Sequence, residues 1–496
     1  MGRRAGHAGG RRLSADACAS APRVLIIGGG LAGIAAALDC AGAGASVTLV
    51  EVRRRLGGAA YSFERDGLQM DNGQHVFLRC CHAYRALLAR LGSEHLTVVQ
   101  ERLEIPVLKP GSQPTVLRRG SLPAPLHLAG ALARYPHLTY AQRLGAARAA
   151  LALMRLDPSD AALDRISFGD WLARHGQGPQ AVAALWDLVA LPTLNIRAAE
   201  ASLALSAFVF RTGLLSGADA GDIGFHRATL HDTIGAPAER ALRDAGVEVR
   251  LGWRAEHVAN SAGGVEVRGR GARGEGAEAF DSLSAQAVVV AIPHARAATL
   301  LEPLLGEPAR AWGELGSSPI INLHVVYDRP VCDLPFAAGV GTPVQYVFDR
   351  TEAAGAPAGS QYLAVSLSGA HSEMGVSVEA LRERYLPALR ELFPRARQAN
   401  VELFVATREH AATFRAAPGA GALRPGPRTA VRGIALAGAW TATGWPATLE
   451  GAVLSGHAAA DSVISELGMS APCVSAPMSS PAAAGAARAQ ARTAAA

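Results

Sequence analysis

The strongest constraint on the fold lies near the amino terminus, where an apolar run leads directly into spaced glycines. Residues 24–27 read Val-Leu-Ile-Ile, and G-x-G-x-x-G follows as Gly28, Gly30 and Gly33. In a strand–turn–helix unit the first glycine permits a tight turn, the second lets the backbone approach a pyrophosphate, and the third lets the helix pack on the strand. A second apolar run ends on Glu51, 18 positions after Gly33, where a carboxylate can accept hydrogen bonds from a ribose. These parts in this order predict a Rossmann-like unit with phosphates at the start of its helix.

The segment after Glu51 favours a flavin over a nicotinamide. It follows the pattern E-x-R-x-R-x-G-G, which is similar to that of the amine oxidases and carotenoid desaturases. Arg55 can offer several donors to a pyrophosphate, and the glycine pair lets the backbone lie against a bulky flavin. Arg53 and Arg54 would also suit a solvated basic turn. We therefore predict FAD as the cofactor. The residues expected to contact it in this part of the chain, besides those above, are Leu31, Ala32, Val52, Arg53, Arg55, Gly57, Gly58 and Ala59.

Length and composition suit a two-domain enzyme. A chain of 496 residues is too long for one simple core. The net charge is only +6, and no basic run is interleaved with aromatic residues, so we expect no nucleic-acid partner. The six cysteines form no C-x-x-C pair, which predicts neither a disulfide framework nor a metal site and favours the cytoplasm. We expect neither a signal peptide nor a membrane-spanning helix.

The pattern of apolar runs predicts an α/β (α+β) protein in which one domain interrupts another. A continuous apolar run at 287–292, closed by Pro293, is typical of a central strand buried on both faces. Residues 125–190 have helical periodicity, whereas 319–328 and 360–368 are strand-like. We predict a discontinuous FAD-binding domain (22–105, 236–300 and 425–466), an inserted substrate domain of helices on a mostly antiparallel sheet (106–235 and 301–424), and disordered tails (1–21 and 467–496).

Two further motifs complete the pattern. Asp71-Asn72-Gly73-Gln74-His75 is followed by Leu78, and near the other end residues 436–453 read L-A-G-A-W-T-A-T-G-W-P-A-T-L-E-G-A-V. The second motif opens a helix near Ala452, whose free N–H groups would stabilise the negative charge of a reduced flavin. The residues of these regions that we expect to contact the cofactor are Gly73, Gln74, His75, Ala255, Gly438, Ala439, Gly444, Pro446, Ala447, Gly451 and Ala452.

Taken together, these motifs resemble the hydroxysqualene dehydroxylase family, in the squalene and phytoene desaturase branch of the amine oxidase superfamily. The specific matches cover about the first 80 residues and the 75 before the C-terminal tail, and the middle matches mainly in pattern. The resemblance implies an amine-oxidase-type fold and an FAD-dependent oxidoreductase that replaces an allylic hydroxyl of hydroxysqualene with hydrogen, giving squalene for hopanoid or other isoprenoid synthesis. Many flavoproteins of the superfamily have Asp where this chain has Ala439, so only the backbone N–H is available there.

Other functions stay open at this point. A carotenoid (phytoene-type) desaturase would remove hydride instead of supplying it, and a flavin-binding partner without turnover could serve an isoprenoid assembly. An amine oxidase is less favoured, since only Trp440 and Trp445 stand near the flavin motif to frame an amine. The resemblance implies a long apolar isoprenoid as substrate and squalene-synthase-like enzymes upstream.

The catalytic residues are the least determined part. Asp71 and His75 could act as acid and orienter beside the flavin. Asp-Asn-Gly is equally typical of a turn with self-satisfied side chains, with His75 packing or capping.

One segment points to a surface role. Residues 122–156 have apolar residues at mixed helical spacing, with arginines interspersed. This pattern suits a helix lying on a membrane surface, which would place the protein on the inner face of the membrane. It suits a pair of core-packing helices at least as well.

Overall fold

The structure is a computed structural model that describes residues 21–273 and 277–470. Residues 1–20 and 471–496, which make up nearly all of the two predicted tails, lie outside the described residues. Within the described range the strands are β1 Arg23–Ile27, β2 Ser46–Glu51, β3 Ser62–Arg65, β4 Leu68–Asp71, β5 Phe77–Leu78, β6 Thr97–Val99, β7 Glu104–Leu108, β8 Thr115–Arg118, β9 Ile223–His226, β10 Glu248–Leu251, β11 Trp253–Ser261, β12 Gly264–Arg273, β13 Ala277–Ala285, β14 Ala287–Val290, β15 Ser317–Tyr327, β16 Phe336–Gly339, β17 Tyr346–Asp349, β18 Gln361–Ser368, β19 Val401–Phe414 and β20 Ile434–Leu436.

The helices of the same residues are α1 Leu31–Gly42, α2 His82–Arg90, α3 Ala129–Arg134, α4 Tyr140–Leu153, α5 Ala161–Asp164, α6 Phe168–Arg174, α7 Pro179–Ala181, α8 Asp187–Leu194, α9 Leu203–Phe210, α10 Ala236–Asp244, α11 His294–Leu305, α12 Glu307–Trp312, α13 Val378–Leu392 and α14 Leu449–Glu466. None of them is both long and apolar enough to cross a bilayer.

A parallel five-stranded sheet forms the centre of the first unit, in the order β10-β2-β1-β14-β20. Alternate residues of its strands enter two different hydrophobic clusters, because a sheet covered on both faces must bury both sets of side chains. Helices α1 and α14 cover one face, and the antiparallel sheet β11-β12-β13 packs on the other. The two helices pack closely, since a Cβ on Gly456 would lie 2.3 Å from the carbonyl oxygen of Ala32. The apolar run 287–292 therefore does contain an interior strand, as predicted.

The second unit is built on a seven-stranded sheet in the order β19-β15-β18-β17-β16-β7-β8. Its pairs are antiparallel except for β16 with β7. Helix α13 packs on this sheet, and the predicted helical stretch 125–190 contains α3 to α8. The fold class is confirmed: a Rossmann-like unit and an inserted unit of helices and mostly antiparallel sheet.

The domain boundaries stay a prediction, and the strands are distributed over the predicted segments as follows. All five strands of the parallel sheet lie in the segments assigned to FAD binding. In the seven-stranded sheet, β7 begins at Glu104, two residues before the expected boundary. Strand β9 pairs with both β5 and β6, so the chain around residue 224 joins the two units directly.

Candidate functional site

The three glycines of the first motif have different surroundings. Gly28 has φ of 112°, and a Cβ there would lie 2.3 Å from the carbonyl oxygen of Ala291 at the end of β14. A Cβ on Gly33 would lie 1.8 Å from the carbonyl oxygen of Gly28, so α1 can pack on the turn only with glycine. Gly30 differs from both. Its φ is −79°, and the nearest atom to a Cβ would be the Cα of Gly58, at an ordinary 3.7 Å.

The start of α1 offers donors to a ligand. Gly30 is its N-cap and supplies no side chain, so no side-chain cap bonds the N–H groups of Leu31 and Ala32. Such an end binds phosphate oxygens well, because the unpaired N–H groups and the helix dipole both favour negative charge. Open space at Gly30 beside an uncapped helix is what a pyrophosphate requires.

The Glu51 carboxylate holds the glycine-rich loop that follows β1. One carboxylate oxygen accepts the N–H of Gly29 and the other accepts the N–H of Arg53, each at 2.7 Å. The side chain is buried, with 8% exposed. Each oxygen keeps a further lone pair, so the carboxylate can still accept ribose hydroxyls while it holds the loop.

Arg55 and the glycine pair lie against the first loop. The Arg55 guanidinium stacks 3.5 Å from the centre of the Tyr61 ring and donates to the carbonyl of Gly58 at 3.1 Å. Burial lowers the pKa of Arg55. A Cβ on Gly58 would lie 2.8 Å from the Cα of Gly30. Gly58 therefore permits a close approach to Gly30, and the flavin contact expected of the glycine pair stays a prediction.

The remaining residues of this segment divide by exposure. Arg53 and Arg54 are exposed, as a solvated basic turn would have them, and so are Val52 and Ala59. Gly57, with φ of 99°, donates its N–H to the carbonyl of Gly29 at 2.9 Å. The two glycine-rich segments thus bond to each other.

Asp71 has a structural partner and is not free to act as an acid. One oxygen accepts from Ser62 and from the N–H of Leu230, and the other forms an ion pair with Arg350 at 2.9 Å. Its side chain is buried, and it makes no hydrogen bond to His75. Of the two alternatives left open by the sequence, these contacts favour the structural one for Asp71, because both of its oxygens are used by protein partners.

The loop after Asp71 is rich in buried polar contacts, which involve Asn72, Gly73 and Gln74. The carbonyl of Asn72 accepts from Asn322 and from Thr407, each at 3.0 Å, and its side-chain amide donates to Glu409. Gly73 must be glycine, since a Cβ would lie 2.9 Å from the Asn322 amide nitrogen. The Nε2 of Gln74 is buried and has no partner among the described residues. This amide is a donor available to a bound ligand, since buried polar groups are normally paired.

His75 is held in one tautomer. Its Nδ1 donates to the carbonyl of Gly73 at 3.0 Å, because a carbonyl can only accept. Burial lowers its pKa, so at neutral pH the ring is neutral and Nε2 is an acceptor. The backbone carbonyl of His75 in turn accepts Nδ1–H of His226 at 2.9 Å. With Nδ1–H bonded to the carbonyl of Gly73, a neutral His75 presents Nε2 to a ligand as a hydrogen-bond acceptor.

The closing motif is organised by a buried arginine. Arg424 is only 8% exposed and donates to the carbonyls of Ala439, Trp440, Thr441 and Trp445. Its guanidinium also lies 4.9 Å from the Phe414 ring centre, and burial lowers its pKa to about 10. Four carbonyls on one planar group fix the course of the loop that contains Gly438 and Gly444.

The helix that follows begins earlier than predicted. Thr448 caps α14, and its hydroxyl accepts the N–H of Gly451 at 3.1 Å. A Cβ on Gly451 would lie 2.8 Å from the Pro446 carbonyl. The expectation that Gly451 offers a free N–H and lets the backbone approach the flavin is therefore corrected. Its N–H is used by the cap, and its close contact is with the preceding turn.

The other residues expected to contact the cofactor differ in how much space surrounds them. Gly444 has φ of 79° and open space around its Cβ position, whereas a Cβ on Gly438 would lie 2.5 Å from the Trp440 indole nitrogen. The N–H of Ala452 bonds to the Thr448 carbonyl, inside the helix. Ala255 lies on β11, which packs beside β2. Pro446 is buried, Ala447 packs partly on the large hydrophobic cluster, and no further contact of theirs bears on a ligand.

Sequence reasoning missed several residues that build the site. Arg350, His226, Asn322 and Glu409 all hold the Asp71–His75 loop from segments that carry no recognisable motif. Glu409 accepts both Tyr61 and Asn72 and so joins the two amino-terminal motifs to β19. The one available signal was the run Thr-Arg-Glu-His within a strand, where polar residues are uncommon.

The residues present fit an FAD molecule. The open space at Gly30, the uncapped α1, the spare lone pairs of Glu51 and the unpaired Gln74 amide provide sites for phosphate, ribose and ring polar groups. Trp440 and Trp445 do not face each other: the former packs on Trp312 and the latter on Phe208.

Comparison with known proteins identifies the family. The family model described as flavin containing amine oxidoreductase matches residues 31–464. The chain is 31% identical to a hydroxysqualene dehydroxylase of Rhodopseudomonas palustris, over 85% of this chain and 93% of that protein. It is 24% identical to a probable zeta-carotene desaturase of Synechococcus elongatus, over 84% and 94%.

Solved structures resemble it in fold. Putrescine oxidase bound to putrescine gives a TM-score of 0.67 at 21% identity, covering 90% of this chain and 99% of that one. Cyclohexylamine oxidase from Brevibacterium oxydans gives 0.66 at 19% identity, covering 90% and 100%. The chain belongs to the flavin-containing amine oxidoreductase family and is an FAD-dependent oxidoreductase.

Proposed function

We propose that the chain is a hydroxysqualene dehydroxylase. The observation that carries this proposal is the 31% identity to the Rhodopseudomonas palustris enzyme of that name along nearly its whole length. A second relative of the same name, from Sinorhizobium fredii, is 29% identical over 85% of this chain and 93% of that protein. An alignment over 85% of this chain cannot be confined to the FAD-binding segments, which make up less than half of it, so the likeness extends into the substrate unit.

The reaction replaces a C–O bond with a C–H bond. A bound, reduced FAD would supply the hydride equivalent that replaces the allylic hydroxyl of hydroxysqualene, and the hydroxyl would leave with a proton as water to give squalene. The chain contributes orientation. Glu51 and the start of α1 fix the nucleotide, and Arg424 fixes the loop at the other end of the site. We propose that Nε2 of His75 accepts a hydrogen bond from the bound ligand and that Asp71 acts only by holding the loop.

A buried apolar helix of the predicted substrate unit lies beside the flavin motif. Every residue of α9 is buried, and its Phe208 packs edge to face on Trp445 with ring centres 5.1 Å apart. An apolar helix beside this loop supports a long hydrocarbon chain as substrate. We propose that a squalene-synthase-like enzyme supplies it and that the protein works in the cytoplasm. Cys40, Cys80, Cys81 and Cys332 are free thiols, which suits a reducing compartment.

The direction of hydride transfer tests the proposal. Reduced holoenzyme and oxidised holoenzyme are each incubated without oxygen with hydroxysqualene, squalene and phytoene, and products are identified by mass. We expect only one conversion, hydroxysqualene to squalene by the reduced enzyme. Desaturated products from the oxidised enzyme would instead support a carotenoid-type desaturase. The similarity to a probable zeta-carotene desaturase is the reason to include this alternative. Bound flavin with no conversion at all would support a non-catalytic partner.

A further inference from the structure

Acidic residues are absent from one long stretch of the chain. Residues 105–156 contain seven Lys and Arg and no Asp or Glu. The rest of the chain has 41 basic and 42 acidic residues, so this stretch alone supplies the positive net charge. Two of its cations are used internally, because Arg118 pairs with Glu104 and Arg119 with the buried Asp222. The other five, Lys109, Arg134, Arg143, Arg148 and Arg155, have no ion pair with the described residues.

Helix α4, in the middle of this stretch, has two distinct faces. Ala146, Ala149 and Leu153 point inward and belong to the large hydrophobic cluster. The opposite side, which we call the α4 outer face, consists of Tyr140, Leu144, Arg148 and Leu151. At 3.6 residues per turn these four fall within an arc of about 80°. The core-packing and the surface interpretations of the sequence therefore apply to different faces of one helix.

The α4 outer face exposes large apolar side chains to solvent. Tyr140 is 85% exposed, and Leu144 and Leu151 are 54% and 51% exposed. Leu122 and Leu126, in the segment just before α3, are exposed to a similar degree. Large apolar side chains collected on one helix face are uncommon on a protein surface without a partner.

The start of α4 is rigid. Thr139 and Gln142 form a capping box, and the guanidinium of Arg143 lies 4.8 Å from the Tyr140 ring centre. Arg143 also donates to the carbonyls of Ala133 and Leu138, which ties α3 to α4. The apolar and basic groups are consequently presented in a fixed arrangement.

We propose that the α4 outer face binds the surface of an anionic lipid bilayer. The outer face combines three large apolar side chains with Arg148, and exposed Arg155 follows the helix, so apolar and basic groups match the boundary between acyl chains and negative headgroups. Each such cation adds to the attraction for an anionic membrane, and residues 105–156 themselves contain no acid that would oppose it. This inference does not rest on the proposed reaction, because it concerns a surface and not the flavin site.

Flotation of the purified holoenzyme with lipid vesicles tests the proposal. One vesicle population is pure phosphatidylcholine and the other also contains anionic phosphatidylglycerol. We expect the protein to float with the anionic vesicles and to be released by high salt, which screens exposed charges. Flotation only with neutral vesicles, equal flotation with both, or no flotation with either would overturn the proposal.

Matched variants identify the surface. Arg148→Glu/Arg155→Glu and Leu144→Gln/Leu151→Gln should each weaken binding to anionic vesicles about tenfold or more. Arg240→Glu/Arg243→Glu makes the same charge change on exposed positions of α10, and Phe280→Gln removes an exposed aromatic elsewhere. Both controls should bind as the unaltered protein does. Flavin content and melting temperature show that each variant is folded. Binding that survives both the arginine pair and the leucine pair, or is lost equally in the controls, would refute the assignment.

Discussion

Nδ1–H of His226 donates a hydrogen bond to the backbone carbonyl of His75 across 2.9 Å. Its Nε2 accepts the Tyr84 hydroxyl at 2.7 Å, so the ring is neutral with its proton on Nδ1. Burial first, and then the neighbouring His75, lowers the pKa of His226 to about 3. The bond therefore persists at neutral pH and fixes the backbone on which the His75 ring is carried.

His75 should act as an acceptor, and its pH dependence should reveal this. Because its pKa lies below the ordinary 6.5, Nε2 is free at neutral pH and becomes protonated only in acid. We expect the rate of flavin reoxidation by substrate to be flat near neutrality and to fall only in acid, at a pH lower than an ordinary histidine would give. His75→Gln keeps an acceptor that does not titrate, so its profile should stay flat. A rate that rises in acid in the unaltered enzyme would identify His75 as a general acid instead.

Two glycines three residues apart should respond differently to the same small change. Gly30→Ala meets no protein atom closer than 3.7 Å, so the variant should fold with near-normal stability yet bind FAD much more weakly, because the methyl group takes the phosphate's place. Gly33→Ala drives its methyl into the Gly28 carbonyl and should destabilise the fold itself. Flavin content and thermal unfolding of the apoproteins separate the two effects. A fully flavinated Gly30→Ala protein would show that the pyrophosphate lies elsewhere.

Arg424 should be needed to shape the flavin loop. Arg424→Met removes a donor from four loop carbonyls, of which only that of Thr441 keeps another partner, the N–H of Thr443. It should cost about 3 kcal/mol or more of stability together with most of the bound flavin. Arg424→Lys should recover part of both losses. Arg428→Met, at an exposed position four residues on, is the control and should change little. Similar losses in Arg428→Met and Arg424→Met would mean that the carbonyl contacts are not responsible.

Buried neutral histidines should make the protein sensitive to mild acid. Burial lowers the pKa of His324 to about 4, and that of His226 is about 3, while both would titrate near 6.5 when unfolded. Between these values the unfolded chain binds more protons, so stability is full above about pH 6.5 and falls as the pH decreases. Each histidine should contribute about 1.4 kcal/mol per pH unit.

The matching variant is His324→Gln, which can still donate to Thr407 and accept from Tyr362. Its melting temperature should decline less steeply between about pH 6 and pH 4 than that of the unaltered protein. Parallel declines in the two proteins would show that His324 does not remain neutral in the folded state.

The fold could be predicted from sequence where local patterns carry the information. Gly28, Gly33 and Glu51 specify a turn, a helix contact and a strand end within one stretch of chain, and the structure uses them in those ways. The apolar run at 287–292 predicted an interior strand, because a strand that is buried on both faces has apolar side chains at every position. These are short-range consequences of backbone geometry and burial.

The site was harder to predict because its polar contacts connect distant segments. No residue close to Asp71 in the sequence indicates that Arg350 pairs with it. That ion pair is the main reason to regard the aspartate as structural. Similarly, Gly451 suggested a free donor, but the hydroxyl three residues earlier takes its N–H. Glycine spacing indicates where the backbone must be close to something, and the partner is determined only by the assembled fold.

The central claim is that the enzyme works reductively on an allylic alcohol, and isotope transfer tests it most directly. The holoenzyme is reduced in deuterated water, where the transferable hydrogens of reduced flavin exchange with solvent, and a single equivalent of hydroxysqualene is added without oxygen. We expect flavin to be reoxidised in step with squalene, and each squalene to carry one deuterium at the carbon that lost the hydroxyl. Flavin that stays reduced while hydroxysqualene is recovered unchanged would contradict the assignment.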